Sequence, residues 1–118
     1  MSFKLNPEKR RAIYERDGHA CQYCGYPVTE KTRTLDHLIP RSGGGRHGVA
    51  NLITACVSCN SSKGTKSLDR FRLFMALKRS RYAGILTCDQ YDQLVAMGVD
   101  LGPIPVVVFP FETIGGEQ

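Results

Sequence analysis

The sequence predicts a small α+β domain that contains two pairs of closely spaced cysteines, and three observations favour this fold class. The chain has 118 residues, fewer than the roughly 150 of a typical domain. Four of its five cysteines form two C-x-x-C pairs, Cys21 with Cys24 and Cys56 with Cys59. Around the second pair, the residue pattern favours two short strands followed by a helix. We therefore expect one compact core with flanking helices and an extended C-terminal tail.

The first element is expected to be a short basic helix. Asn6 is a favourable N-cap, because its side-chain oxygen can accept a hydrogen bond from an otherwise unpaired backbone N–H. Pro7 suits the first helical position, where no N–H is needed, and Glu8 adds an acidic group to the first turn. Gly18 is expected to end this helix.

Two strands and a helical turn are expected next. Residues 32–40 are compatible with a strand, and residues 51–55 have the β-branched and aliphatic side chains of a returning strand. A regular strand would point the adjacent Asp36 and His37 to opposite faces, so the first strand is expected to twist or end at this pair. The helical turn is expected to start at Cys59 and to end at Gly64.

Two more helices and a tail are expected after this motif. Ser67 is a suitable N-cap for a helix through about Arg81, whose apolar residues recur at helical spacing. Thr87 can cap a further short helix. In residues 102–111, three prolines are expected to exclude a helix, and the apolar run 106–109 is expected to pack on the domain or on a partner.

Charge divides the chain into two parts. All 16 Lys and Arg residues lie in residues 1–82 with six acids, whereas residues 83–118 carry five acids and no Lys or Arg. Clustered basic residues suit a polyanion such as nucleic acid, although a solvated basic surface has the same composition. We therefore predict a basic core, 1–82, and an acidic C-terminal helix and tail, 83–118.

Composition also bears on compartment and on cysteine chemistry. No apolar run approaches the roughly 18 residues needed to span a bilayer, and the first residues lack the apolar segment of a secretory signal, so a cytoplasmic location without membrane contact is expected. Five cysteines in that compartment argue against a disulfide scaffold. Two knuckle-spaced pairs favour a structural zinc ion bound by four sulfurs, with a redox role for each pair as the alternative. Cys88 is left over and is expected to be a buried small hydrophobe.

The residues between and around the cysteine pairs form a further pattern. Asp36 and His37 come first, Asn51 follows, and Asn60 stands in a C-x-x-C-N-x-x-K-G run. This arrangement resembles the HNH endonucleases, which are metal-dependent nucleases with a ββα active site, in the four-cysteine form common in bacterial and phage proteins. The resemblance covers residues 21–64 and implies a ββα-metal core for the fold.

The resemblance implies a role for each matching residue. His37 would be the general base that takes a proton from the attacking water, and Asn51 would accept the other imidazole N–H and so orient the ring. Asp36 and Asn60 would hold one catalytic divalent ion, Mg²⁺ or Mn²⁺. The implied substrate is DNA, taken as double-stranded, whose phosphodiester bonds are hydrolysed.

Several basic residues are candidates for contacts with DNA phosphates. They are Arg41, Lys63 and Lys66 near the motif, and Lys9, Arg10, Arg11 and Arg16 on the first helix. Two other functions fit the same sequence. One is a non-catalytic zinc-ribbon module that binds nucleic acid, and the other is a structural partner of a larger DNA-processing assembly, associating with a protein or with itself through the C-terminal tail.

Overall fold

The chain forms two compact units, in a computed structural model that describes residues 5–39 and 48–116. The first unit takes its described residues from 1–67 and 108–118, and the second consists of residues 68–107. This division differs from the predicted boundary after residue 82. The segment from residue 108 onward belongs to the first unit, although its acidic composition differs from the basic composition of that unit. Among the described residues, we find no helix with the length and apolar character needed to cross a membrane.

Helix α1 spans Pro7–Arg16 and begins as predicted. Asn6 Oδ1 accepts a hydrogen bond of 2.7 Å from the Glu8 N–H, which confirms the predicted cap. Ile13 and Tyr14 are its buried residues, so the helix packs through one face and leaves most of its charged side chains in solvent.

The sheet has two strands. Strand β1 spans Arg33–His37 and pairs antiparallel with strand β2, Leu52–Cys56. A short 3-10 turn at Val49–Asn51 leads into β2. Both predicted strands are confirmed. Strand β1 ends at His37, as expected from the adjacent Asp36 and His37. Asp36 is buried, whereas His37 is half-buried.

Helix α2 spans Val57–Lys63 and packs on both strands. It starts earlier than predicted because Cys56 serves as its N-cap, with the sulfur accepting the Cys59 N–H. It ends at Gly64, whose φ of 51° favours a residue without a side chain. Two strands and this helix form the predicted ββα arrangement, and the fold class is α+β.

The second unit contains helices α3, Leu68–Lys78, and α4, Cys88–Ala96, which contact each other. The first ends before the predicted position near Arg81, whereas Thr87 caps the second through a capping box, as predicted. Arg70 on α3 forms ion pairs with two aspartates of α4. Cys88 is half-buried rather than buried, since it stands at the start of α4.

The sequence predicts an extended C-terminal tail, and this prediction is wrong from Pro110 onward. Helix α5 spans Pro110–Gly116. A proline at the first helical position needs no partner for its nitrogen, so Pro110 starts the helix instead of excluding it. Residues 101–109 have no regular secondary structure. In the apolar run 106–109, Val107 and Phe109 are buried whereas Val106 and Val108 are exposed, so the predicted packing is confirmed for two of its four residues.

Candidate active site and metal centre

The four paired cysteines lie together in the first unit. Their sulfur atoms are all within 4.8 Å of one another, and Cys24 Sγ is 3.9 Å from Cys56 Sγ. Four sulfurs bound at about 2.3 Å to a tetrahedral zinc ion would be about 3.8 Å apart. The donor atoms and their spacing therefore fit the predicted structural zinc ion.

Hydrogen bonds to Cys21 Sγ favour the thiolate form of this cysteine. Cys21 Sγ accepts the N–H groups of Tyr23 and Cys24, each at 3.4 Å. A hydrogen bond from the Cys59 thiol lowers the pKa of Cys21 to about 4, against the effect of burial, and backbone N–H groups add to the lowering. The same pairing raises the pKa of Cys59. Because a thiolate is the form that binds metal, the cluster already favours one ligand in its binding state.

The cysteine cluster joins α2 to the turn that follows α1. Cys21 and Cys24 lie in that turn, whereas Cys56 and Cys59 stand at the junction of β2 and α2. Asn60, the residue after Cys59, donates a hydrogen bond of 2.9 Å from Nδ2 to Thr34 Oγ1 on β1. A metal ion bound to the four sulfurs would thus fix the start of the helix that carries Asn60.

Asp36 is buried in a polar triad. Its Oδ2 accepts a hydrogen bond of 2.5 Å from the Tyr23 hydroxyl and lies 3.0 Å from Lys63 Nζ. Lys63 also donates to the backbone oxygen of His37 at 2.8 Å. Burial, followed by the charge of Asp36, raises the pKa of Tyr23, so the phenol keeps the proton that it donates. The triad joins the first cysteine turn, β1 and α2 through one carboxylate oxygen.

Lys63 is therefore not a surface residue, and the prediction that it contacts DNA phosphates is contradicted. Its side chain has 0% exposure, and its ammonium group is used by Asp36 and His37 inside the unit. The physical reason is its place on α2, one turn after Asn60, on the face that covers β1. Lys63 neutralises the Asp36 carboxylate instead.

Replacing Lys63 with methionine is expected to lower the free energy of unfolding by about 3–5 kcal/mol, because the Asp36 carboxylate would stay buried without its cation. Chemical denaturation of the zinc-loaded protein measures this loss. The matched control, Lys31→Met, removes an exposed lysine of the same unit and should change stability by less than about 0.5 kcal/mol. Adding Asp36→Asn should recover part of the loss, and equal stability of the two lysine variants would show that the pair contributes nothing.

One oxygen of Asp36 and one of Asn60 remain for a divalent cation. Within the described residues, hydrogen bonds or ion pairs engage Asp36 Oδ2 and Asn60 Nδ2, and neither Oδ1 has a protein partner. The Asp36 side chain keeps 9% of its exposure. A carboxylate and an amide oxygen are donors that Mg²⁺ and Mn²⁺ accept, so the residues present fit the predicted ion.

Asn51 fixes the chain just beyond His37. Its Oδ1 accepts the Ile39 N–H at 2.8 Å, its Nδ2 donates to the Ile39 oxygen at 3.1 Å, and its backbone oxygen accepts the Leu38 N–H at 2.9 Å. Asn51 Oδ1, which is predicted to accept the imidazole N–H of His37, thus accepts a backbone N–H two residues after His37. These bonds show that Asn51 restrains the main chain next to His37. Direct contact between Asn51 and the imidazole ring stays a prediction.

Arg16 braces α1 against the start of β2. Its Nε and Nη2 contact the Asp17 carboxylate at 2.8 and 3.0 Å. Nη2 also donates to the Leu52 oxygen at 2.7 Å, and Nη1 donates to the Val49 oxygen at 3.2 Å. The guanidinium group is engaged within the protein while the side chain keeps 41% of its exposure, so the phosphate contact of Arg16 stays a prediction.

The other predicted phosphate contacts have mixed surroundings. Lys9 and Arg11 are exposed on α1, and Arg10 is half-buried. Lys66 is half-buried, and its Nζ donates to the Ser62 oxygen at 2.6 Å. These four stay candidates for DNA contact, whereas Arg41 lies outside the described residues.

Two buried polar residues of the site are absent from the sequence predictions. One is Tyr23, which bonds Asp36, and the other is Asp17, whose Oδ2 accepts the Thr54 N–H at 2.8 Å. A tyrosine inside a C-x-x-C pair is visible in the sequence, but no local signal connects it with an aspartate of a later strand. Asp17 follows a helix and has the appearance of an ordinary surface acid.

Comparisons with known proteins concern the same region. Residues 21–73 match a protein family described as HNH endonuclease. The CRISPR-associated endonuclease Cas9 of Corynebacterium diphtheriae is 41% identical over 51 residues, which are 42% of this chain and 5% of that protein. The Cas9 of Actinomyces naeslundii is 42% identical over 50 residues, which are 42% of this chain and 4% of that protein. The chain therefore spans only a small part of the length of these relatives.

A solved structure shares the fold. The crystal structure of the Type II-C Cas9 enzyme from Actinomyces naeslundii aligns with a TM-score of 0.52 and 29% sequence identity. The alignment covers 62% of this chain and 8% of that chain. The structural alignment covers a larger share of this chain than the sequence match does, and it supports the α+β fold.

Proposed function

We propose that this chain is a metal-dependent endonuclease that hydrolyses DNA phosphodiester bonds, and the match of residues 21–73 to a family described as HNH endonuclease supports this proposal. One observation carries the proposal. Asp36 and His37 stand at the end of β1, and α2 brings Asn60 to that strand next to a cluster of four cysteines. The three side chains that the family motif requires for chemistry therefore lie on two elements that pack directly on each other.

His37 is the general base in this proposal. A neutral imidazole can take a proton from a water molecule that attacks phosphorus. His37 is half-buried at the last position of β1, with its backbone oxygen held by Lys63. The bonds between Asn51 and Ile39 restrain the chain that follows. These contacts limit the positions that the imidazole can adopt.

Asp36 and Asn60 would hold one divalent ion, Mg²⁺ or Mn²⁺. When bound, the ion would supply Lewis-acid stabilisation of the charge that develops on the phosphate and on the leaving oxygen. The contribution of the protein is to hold the two side chains, Asp36 through Tyr23 and Lys63 and Asn60 through Thr34. Restrained ligands of this kind lose little freedom when a cation binds.

The exposed basic residues of α1 support DNA as the substrate. Lys9 and Arg11 can neutralise phosphates and release counterions, which favours binding to any nucleic acid at low salt. Association with a partner protein or with a second copy through the C-terminal tail stays a prediction, as does the cytoplasmic location.

A plasmid cleavage time course tests the proposed function. Zinc-loaded protein is incubated with supercoiled DNA in Mg²⁺, in Mn²⁺ and without added divalent ions, and the zinc content is measured before and after each reaction. We expect nicked or linear DNA only with Mg²⁺ or Mn²⁺. If the protein shifts DNA with a steep salt dependence but never cuts it, the zinc-ribbon binding module replaces the nuclease.

A further inference from the structure

Tyr23 links the Asp36 carboxylate to a part of the chain outside the family match. The Tyr23 side chain is buried, with the residue 1% exposed, and its hydroxyl bonds Asp36 Oδ2 at 2.5 Å. Its backbone is held between Cys21 and Cys24, because the N–H groups of Tyr23 and Cys24 both donate to Cys21 Sγ. A hydrogen bond this short, inside the protein, gives the carboxylate one preferred orientation.

The ring of Tyr23 is held by two phenylalanines of the C-terminal segment. Phe109 meets it edge to face, with ring centroids 5.3 Å apart and an interplanar angle of 75°. Phe111 does the same at 6.5 Å and 85°. The two phenylalanines stack on each other at 5.9 Å, and Phe109 is 0% exposed. Both lie beyond residue 73, where the family match ends.

The start of α5 keeps this aromatic pair in place. The Phe109 N–H donates to Glu112 Oε1 at 2.8 Å, which ties the residue before the helix to its first turn. Pro110, between the two phenylalanines, lies beside Gly25, where an added Cβ would come 3.8 Å from the proline ring. The C-terminal segment therefore packs on the turn that carries Tyr23 through several independent contacts.

We propose that Tyr23 is a positioning residue for Asp36, and that Phe109 and Phe111 hold Tyr23 for this purpose. The inference rests on the proposed function in one respect, namely that Asp36 is a ligand of the catalytic divalent ion. Lys63 and Tyr23 share one carboxylate oxygen, so Lys63 supplies the opposite charge and the directional hydroxyl bond fixes the plane of the carboxylate. Oδ1 is then presented to the cation in one orientation.

Metal binding by the variant Tyr23→Phe tests the proposal. The change removes the hydroxyl and keeps the ring that packs on Phe109 and Phe111. Isothermal titration of Mn²⁺ into zinc-loaded protein without DNA gives the affinity, and the Mn²⁺ dependence of plasmid cleavage gives the concentration for half-maximal rate. Loss of a residue that orients a metal ligand costs about 10–100-fold in metal affinity or activity, and we expect both quantities to weaken within that range.

The matched control is Tyr26→Phe, which removes a hydroxyl from the same turn. Tyr26 is 74% exposed, so its variant should have the Mn²⁺ affinity and the cleavage rate of the wild type. The variant Phe109→Leu should weaken Mn²⁺ binding by a smaller factor, while Val108→Ala, at an exposed neighbour, should not. Zinc content and melting temperature are measured for each variant, because a merely structural role would change these and not the Mn²⁺ affinity at full zinc content.

The possible results separate this inference from the proposed function. If Tyr23→Phe keeps the wild-type Mn²⁺ affinity and the wild-type Mn²⁺ dependence of cleavage, Tyr23 does not position Asp36, whereas the proposed nuclease function is retained. If the wild type binds Mn²⁺ more tightly than Tyr23→Phe but neither protein cuts DNA, the positioning role is retained and the proposed nuclease function is overturned. A wild type that neither binds Mn²⁺ nor needs a divalent ion for cleavage overturns both.

Discussion

Replacing Cys24 with alanine is expected to remove most of the bound zinc and to abolish the cooperative thermal unfolding of the first unit. Cys24 supplies one of the four sulfurs that lie within 4.8 Å of one another. Structural zinc binds zinc-finger peptides with about 10–16 kcal/mol at neutral pH, which is as large as the stability of about 5–15 kcal/mol of a whole domain. Zinc analysis together with thermal denaturation followed by circular dichroism measures the effect.

The rate of DNA cleavage by Cys24→Ala is expected to fall together with the thermal stability of the first unit. Without the metal, the side-chain contacts that hold α2 to β1 would be the Asn60–Thr34 hydrogen bond and the contacts of Lys63 with Asp36 and His37. The turn that carries Cys21 and Cys24 would lose its link to α2, which weakens the support of the site. The matched control is Cys88→Ala, which removes a half-buried cysteine outside the cluster and should keep the zinc and the activity. If Cys24→Ala loses activity but keeps its zinc and a cooperative transition, the structural role of the cluster is wrong.

Local signals in the sequence were sufficient to predict most of the elements. Helix starts are encoded within three or four residues, so Asn6 with Pro7 and Thr87 were recognisable as caps. The two cysteine pairs were equally recognisable, because the spacing of a knuckle is a property of a short segment. The end of β1 followed from the adjacent Asp36 and His37, which cannot both face the protein interior from a regular strand.

The partners of the buried polar groups could not be predicted in this way. Lys63 and His37 are 26 residues apart, and their contact depends on how α2 lies across β1. A lysine in an N-x-x-K-G run is ordinarily a surface residue, since lysine is rarely buried without a partner. Arg16 presents the same difficulty, because its acceptors Val49 and Leu52 lie 33 and 36 residues further along the chain.

The C-terminal segment shows a second reason for failure. Charge suggested that everything after residue 82 forms one acidic appendage, but residues 68–107 form their own unit and Phe109 is buried in the other. A charge pattern reports on the surface that a segment exposes, whereas its place in the fold depends on its apolar contacts. Pro110 is compatible with two predictions, because proline is unfavourable inside a helix but favourable at its first position, where it stands here.

Replacing His37 with alanine is expected to lower the rate of DNA cleavage by about 10²–10⁴-fold, which is the usual contribution of a general base. The fold should survive, because the contact of Lys63 with this residue uses the backbone oxygen, which alanine keeps. DNA binding and zinc content should therefore be unchanged. A plasmid cleavage time course in Mg²⁺, a binding assay over a range of salt concentrations and zinc analysis together measure the separation of chemistry from binding.

The matched control for His37→Ala is His19→Asn. His19 is exposed and has a φ of 55°, a conformation that asparagine tolerates better than alanine, so this variant removes an imidazole without straining the backbone. It should cut at the wild-type rate. Wild-type cleavage by His37→Ala would exclude this histidine as the base, and an equal loss in the two variants would show that the loss is not specific to the imidazole at the end of β1. A loss confined to His37→Ala, with DNA binding intact, would exclude a module that only binds nucleic acid, because such a module has no rate to lose.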